Sequence, residues 1–302
     1  ARALFYYLAV ESAHPHSRET LAGLLWPDQP EERARQSLRQ TLTYLRQPST
    51  AGDVGLAPFL RVTRGSVQFA PDSDHWLDVA AFTEQIAACR RHRHRSLPAC
   101  RACLERLRRA VALYRGDFLA GFFLPDSTTF EEWAMLKREE LHQEALEALA
   151  ILSDYHERRG EHEQARSYAL RQVQLEPWRE EPQRQMMRLY ALGGQRSAAL
   201  AQYAACRRAL AEELDMEPAA ETRELYDGIY ADIWRPPLPR HNLPPAATSF
   251  IGRAEEVPEL LGMLADPDCR LITLVGMGGV GKTRLALQVL AEAVGSFPDG
   301  CY

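Results

Sequence analysis

The chain has 302 residues, 46% hydrophobic and 25% charged, with a formal net charge of −5. This is ordinary composition for two or three folded domains. No apolar run approaches the ~18 residues that would cross a membrane, and "ALFYYLAV" at the start has neither a basic lead nor a cleavage site. The expectation is a cytoplasmic protein with no membrane partner. It starts at Ala1 and stops in mid-domain, as though both ends were cut from something longer. Its six cysteines do not make a secreted disulfide framework.

The net acidity hides a basic stretch: between Arg33 and Arg64 stand six arginines and one acid, Asp53. The elements around it follow in order. "SRETLAGLLW" predicts a helix with Ser17 as N-cap and Leu21, Leu24 and Leu25 on one face, ending at Trp26-Pro27. "DQPEERARQSLRQTLTYLRQ" predicts a second, with Asp28 and Glu31 at capping-box spacing and Pro30 in its first turn. There Ala34, Leu38, Leu42 and Leu45 repeat at helical spacing and face the core. At 100° per residue, the opposite side carries Arg33, Gln36, Gln40, Thr43 and Gln47, flanked by Arg39 and Arg46 on one edge and Ser37 and Tyr44 on the other. Arginine pairs bidentately with guanine, glutamine with adenine, and threonine touches a thymine methyl. "LRVTRGSVQF" then alternates apolar and polar residues about Arg64-Gly65, a hairpin whose tip presents Arg64. Helix, turn, helix and hairpin make a winged helix. Its outer face reads duplex DNA through Arg33, Gln36, Arg39, Gln40, Thr43, Arg46 and Arg64, or is merely solvated, as charged faces usually are.

Further on, "CRRHRHRSLPACRAC" gathers Cys89, His92, His94, Cys100 and Cys103 at spacings that zinc uses. A structural zinc site is one reading. The other buries Cys89 and Cys103 as small hydrophobes with the histidines solvated between arginines, whose charge opposes a cation.

"SRETLAGLLWPDQPEERARQSLRQTLTYLR", with "WLDVAAF" at 76–82 and "LYRGDFLAGF" at 113–122, resembles the bacterial activators of the SARP/BTAD class, in which an OmpR-type winged helix precedes a bacterial transcriptional activator domain. The resemblance covers residues 1–235. It implies a few strands before the first helix, which this chain, entering at "ARALFYYLA", is expected to lack. It also implies a homodimer, binding to direct repeats of duplex DNA, contact with RNA polymerase, and a helical domain that passes a signal to the DNA-binding part. Within that helical domain Tyr155, Gly160 and Ala165 recur as Tyr190, Gly194 and Ala199, the glycine and alanine at the tetratricopeptide period of 34. Pro177 and Pro218 close the units, and nothing in them suggests catalysis.

"RPPLPRHNLPP" at 235–245 reads as a stiff linker. After it, "SFIGRAEEVPELLGML" is similar to the opening of the STAND/NB-ARC signalling ATPases. By that resemblance Ile251, Gly252 and Arg253 lie near adenine. Ala254 stands where that family's acid follows the arginine, and the sequence leaves open whether Glu255 replaces it. "GMGGVGKT" at 276–283 is a phosphate loop, expected between a strand, "CRLITLV", and a helix, "TRLALQVLAEAV". Gly276, Gly278, Gly279 and Gly281 let the backbone, Val280 included, curl its N–H groups toward a polyphosphate. Lys282 would reach the β- and γ-phosphates and Thr283 the accompanying magnesium, so ATP or ADP with magnesium is the implied cofactor. Hydrolysis needs a second acidic strand, and none follows before Tyr302, so no enzyme activity is expected of this stretch.

The expected fold is thus mainly α. A winged helix (1–75), its first strands missing, precedes a tetratricopeptide-like domain (76–234), a linker (235–247) and the start of an α/β P-loop domain (248–302). Three functions are weighed: a DNA-binding activator gated by nucleotide, a protein-interaction scaffold whose winged helix no longer binds DNA, and a stand-alone NTPase, which the lack of catalytic machinery after the loop disfavours.

Overall fold

The computed structural model describes residues 1–47, 56–93, 100–235, 242–244, 250–266, 268–294, 297 and 300–301. The fold is mainly helical, with one small sheet among the described residues. Packing divides it into two compact units, residues 1–84 with 112–144, and residues 85–111 with 145–302. These units cut across the boundary that the sequence places after residue 75.

In the first unit, α1 (Arg2–Val10), β1 (His16–Ser17), α2 (Arg18–Leu25), α3 (Glu31–Arg46), β2 (Leu60–Val62) and β3 (Ser66–Phe69) follow in order. The strands form an antiparallel sheet ordered β1-β3-β2, with His16 opposite Val67 and Leu60 opposite Phe69. This is a winged helix. Ser17 caps α2 as expected, its Oγ accepting from the Thr20 N–H at 3.0 Å. The capping box expected at Asp28 and Glu31 does not form. Pro30 is the N-cap of α3, with ψ 141°, and no side chain closes that end. With ψ 141° Pro30 lies outside the helix, so the N-cap position falls on a residue with no side-chain acceptor and not on Asp28. The core is built from Leu4, Leu8, Leu21, Leu38, Leu42 and Val67. It also takes in Phe130 and Ala134 of α6 (Thr128–Arg158). Ser127 Oγ donates to the Leu24 carbonyl at 2.5 Å and Trp133 Nε1 to Glu11 Oε1 at 3.0 Å. These contacts are why the unit extends past residue 75.

The second unit takes its first residues from α4 (Asp78–Arg91) and α5 (Arg101–Leu113), then the rest of α6, and then α7 (His162–Leu175), α8 (Glu180–Leu192), α9 (Arg196–Leu214) and α10 (Ala220–Tyr230). The 34-residue repeat is visible bond by bond. Glu161 N–H donates to His156 O at 2.9 Å and Gln195 N–H to Tyr190 O at 2.8 Å, while Gly160 and Gly194 sit at φ 71° and 70°. Ala165 and Ala199 are fully buried where the paired helices meet. The structural partner of Tyr190 is therefore His156. Tyr155, matched to Tyr190 in the sequence, is one residue out of register, since the sequence pairing followed residue type and not the turn.

The last segment holds α11 (Glu256–Ala265) and α12 (Lys282–Ala293), joined through Val257, Leu285 and Val289. The strand expected at 269–275 does not form. A strand completes its hydrogen bonds only against a neighbour, and among the described residues none lies alongside. Leu271 and Val275 are accordingly 84% and 89% exposed.

Candidate nucleic-acid interface and phosphate loop

The α3 helix has two faces of opposite character. Ala34, Leu38, Leu42 and Leu45 are buried, and Arg33, Gln36, Arg39, Gln40, Thr43 and Arg46 are all exposed, as the 100° periodicity requires. The Thr43 hydroxyl donates to the Arg39 carbonyl at 2.9 Å, which occupies its polar group within the helix. Basic side chains differ in what holds them. Arg35 is ion-paired to Glu31 and lies 3.9 Å from Glu19, and Arg61 pairs with Asp72 at 2.6 Å. Arg33, Arg39, Arg46 and Arg64 make no ion pair with an acid among the described residues. Asp53 lies outside those residues.

The wing is the β2–β3 hairpin, and Arg64 is exposed in its turn. Thr63 Oγ1 accepts from the N–H groups of Gly65 and Ser66, which shapes the turn. Arg18, at the first position of α2, fastens it. Its Nη2 and Nε donate to the Thr63 carbonyl at 2.9 and 3.2 Å, and its N–H donates to the Gly65 carbonyl at 3.0 Å. Sequence reasoning missed Arg18 because the residue lies outside the basic stretch. It follows β1, a two-residue strand too short to register as a pattern, so its place beside the wing carried no signal.

In the glycine-rich loop at 276–283, Gly279 and Gly281 adopt φ 80° and 89°, the left-handed conformations that favour glycine. The α12 helix starts at Lys282 with no side-chain cap, so its first-turn N–H groups lack the usual internal acceptor. A Cβ at Gly278, Gly279 or Gly281 would meet nothing within 4 Å, leaving the cradle open. Lys282 Nζ folds back onto the loop, donating to the carbonyls of Gly276 and Met277 at 2.8 and 2.9 Å. Thr283 follows it in the first turn of α12. The two segments singled out by the sequence come together: Arg253 Nη2 donates to the Val280 carbonyl at 2.8 Å. Gly252 and Arg253 sit at φ 82° and 62°, and Ile251 is exposed. The acid that pairs with Arg253 is Glu256, at 3.0 Å. The donor set, with its uncapped helix end, glycine cradle and reachable ammonium, fits a polyphosphate.

The cysteine cluster is partly assembled. His92 Nδ1 lies 3.2 Å from Cys103 Sγ and 3.3 Å from Cys100 Sγ. Cys89 Sγ is 3.5 Å from the Cys103 carbonyl oxygen. Burial pushes the Cys103 thiol up to about 12, and its cysteine neighbours push the same way. His94 lies outside the described residues.

A family model, the bacterial transcriptional activator domain, matches residues 77–230, half of the chain. The chain belongs to this BTAD family. Regulatory protein AfsR of Streptomyces coelicolor is 28% identical over 99% of the chain and 31% of its own length. Regulatory protein AfsR of Streptomyces griseus is 32% identical over 64% of the chain and 21% of its own length. The chain thus spans about a third or less of these relatives. The structure of Mycobacterium tuberculosis EmbR in complex with a low-affinity phosphopeptide shares the fold, with a TM-score of 0.52 at 20% identity, over 76% of this chain and 59% of that one. Among the described residues of this BTAD chain, no helix is long and apolar enough to cross a membrane.

Proposed function

We propose that this BTAD-family chain is the DNA-reading part of a transcriptional activator whose activity follows the nucleotide state of the protein. The observation that carries the proposal is the outer face of α3, where Arg33, Arg39 and Arg46 stand exposed, with no ion pair to an acid among the described residues, beside the exposed amides of Gln36 and Gln40. A helix so furnished suits the major groove, with Arg33, Gln36, Arg39 and Gln40 on base edges, the Thr43 methyl on thymine and Arg46 on phosphate. Arg64 on the wing takes a neighbouring phosphate, held at its height by the Arg18 contacts. Two chains on direct repeats, presented to RNA polymerase, form the working assembly. The glycine cradle and Lys282 bind ATP or ADP, with Thr283 toward magnesium, and Arg253 carries the change from the loop into the segment before α11. This chain is a binding module and not an enzyme.

Selection of duplexes from a random DNA library tests the reading, with Arg39→Ala and Gln36→Ala alongside. Enrichment of direct repeats by the parent, relaxed at single positions in the variants, is expected. So is an affinity that falls with salt at about 0.9 log unit per phosphate contact per decade. A folded protein that enriches no sequence at low salt overturns the DNA reading and leaves the scaffold function in its place.

A further inference from the structure

Three candidate ligands converge where α4 ends and α5 begins, and a fourth, Cys89, stands beside them. His92 follows the last residue of α4, and Cys100 precedes the first residue of α5. His92 Nδ1 and the sulfurs of Cys100 and Cys103 all lie within 4.8 Å of one another. A tetrahedral zinc ion, with bonds of about 2.0 Å to nitrogen and 2.3 Å to sulfur, holds such atoms about 3.5 Å apart. The separations from His92 Nδ1, 3.2 and 3.3 Å, are near that spacing before any ion enters. Cys89 stands one helical turn before His92, buried, with its thiol against the Cys103 carbonyl. To complete a four-ligand set its side chain must leave that carbonyl and turn toward the other three.

Two features separate this cluster from ordinary cysteine packing. The first is His92, an exposed residue whose ring nitrogen is nonetheless turned in onto two buried thiols. Thiols packed as small hydrophobes do not call for an imidazole there. The second is Arg106, one turn after Cys103 on α5, whose Nη1 is buried without a hydrogen-bond partner and whose charge acts on the Cys89 sulfur. Three neutral thiols offer that buried nitrogen no negative charge. Three thiolates and one imidazole around a dication carry a net charge of −1, which Arg106 offsets. The arginines that oppose a bare cation therefore favour the loaded site.

We propose that Cys89, His92, Cys100 and Cys103 hold a structural zinc ion that ties the end of α4 to the start of α5. Each cysteine releases its proton to solvent as its sulfur–zinc bond forms, and His92 binds through the Nδ1 lone pair. No electron changes hands.

The test uses the whole chain, purified under reducing conditions with zinc supplied, and exchanged into cobalt(II) for spectroscopy. About one zinc per chain is expected, with thiolate-to-cobalt charge transfer and tetrahedral d–d bands. His92→Ala, at an exposed position that leaves the core intact, should weaken zinc at least tenfold in chelator competition while keeping its circular dichroism. Cys89→Ser should remove about a third of the charge-transfer intensity. Three results overturn the proposal: a folded parent chain that retains no zinc, a disulfide among these cysteines that persists in reducing, zinc-containing buffer, or a His92→Ala chain that binds zinc as the parent does.

Discussion

The winged helix and the glycine-loop segment meet the same physical demand in opposite ways. "LRVTRGSVQF", alternating apolar and polar, and the more apolar "CRLITLV" are both rich in strand formers. The first becomes β2 and β3 because β1 and each other supply ladder partners, and it buries Val67 and Phe69. The second stays irregular, with Leu271 and Val275 in solvent. Ser17 closes α2, while α3 and α12 both start without a side-chain cap. The contrast is therefore one of strands: the first region pairs its own, and the second leaves its strand groups without a neighbour among the described residues. A motif such as Gly-x-x-x-x-Gly-Lys-Thr shapes a loop locally, but a sheet requires neighbours.

The sharpest test compares two leucines. Leu38 is buried in the winged-helix core, so Leu38→Ala should cost about 2–5 kcal/mol in urea denaturation. Leu271→Ala should cost less than about 0.5 kcal/mol, because there is no burial to lose. Similar losses at both sites would mean that the second segment is packed after all.

Next in size is the open cradle. Lys282→Ala in the full-length protein should weaken MgATP binding by about 1.5–3 kcal/mol in calorimetric titration, the worth of hydrogen bonds to a charged group. Its thermal unfolding should barely move, since Lys282 bonds only exposed loop carbonyls. For the closed region the matching experiment is DNA affinity. Arg39→Ala should lose about 1–3 kcal/mol at a cognate site by fluorescence anisotropy. Arg35→Ala, whose side chain is held by Glu31 and Glu19, should lose much less. Equal losses would remove the distinction between paired and unpaired arginines. Ser17→Ala follows at about 1 kcal/mol of stability, read by denaturation, from the exposed N–H of Thr20.

Helix periodicity made most of this legible. The buried and exposed faces of α3, the Ser17 cap, the hairpin tip at Arg64 and the glycines at 160 and 194 all follow from spacing and backbone freedom alone. What the sequence concealed is non-local. Nothing in "TTFEEWAML" says that Phe130 and Trp133 belong with residues more than a hundred positions earlier. The pairing of Arg35 with Glu31 and of Arg61 with Asp72 leaves no mark in the composition, yet it separates them from Arg33, Arg39, Arg46 and Arg64, which pair with no acid among the described residues. The role of Arg18 arises only when β3 brings the wing to the start of α2. The acid that serves Arg253 is Glu256 because a helical turn brings it under the guanidinium, a choice that residue order alone left open.

The smallest effect concerns a turn that the repeat itself controls. Glu161 accepts hydrogen bonds from His156 Nδ1 at 2.5 Å and Arg159 Nε at 2.9 Å. Burial alone would raise its pKa, but these hydrogen bonds and the Arg159 charge outweigh burial and hold it below the ordinary 4.5. The unfolded chain therefore binds the proton more tightly. The stability Glu161 contributes is complete above pH 4.5 and is lost as pH falls through its folded value. Its side chain is about a third exposed, and screening limits the effect to a few tenths of a kcal/mol. Thirty-four residues on, the same turn carries Gln195, whose backbone bond to Tyr190 matches that of Glu161 to His156. Glu161→Gln thus gives the first turn the chemistry of the second. Urea midpoints between pH 3 and 6 should lose part of their acid-side slope in this variant and keep their value at pH 7 to within a few tenths of a kcal/mol. An unchanged slope would assign the acid sensitivity elsewhere, Asp154 being excluded because burial raises its pKa and gives the opposite sign.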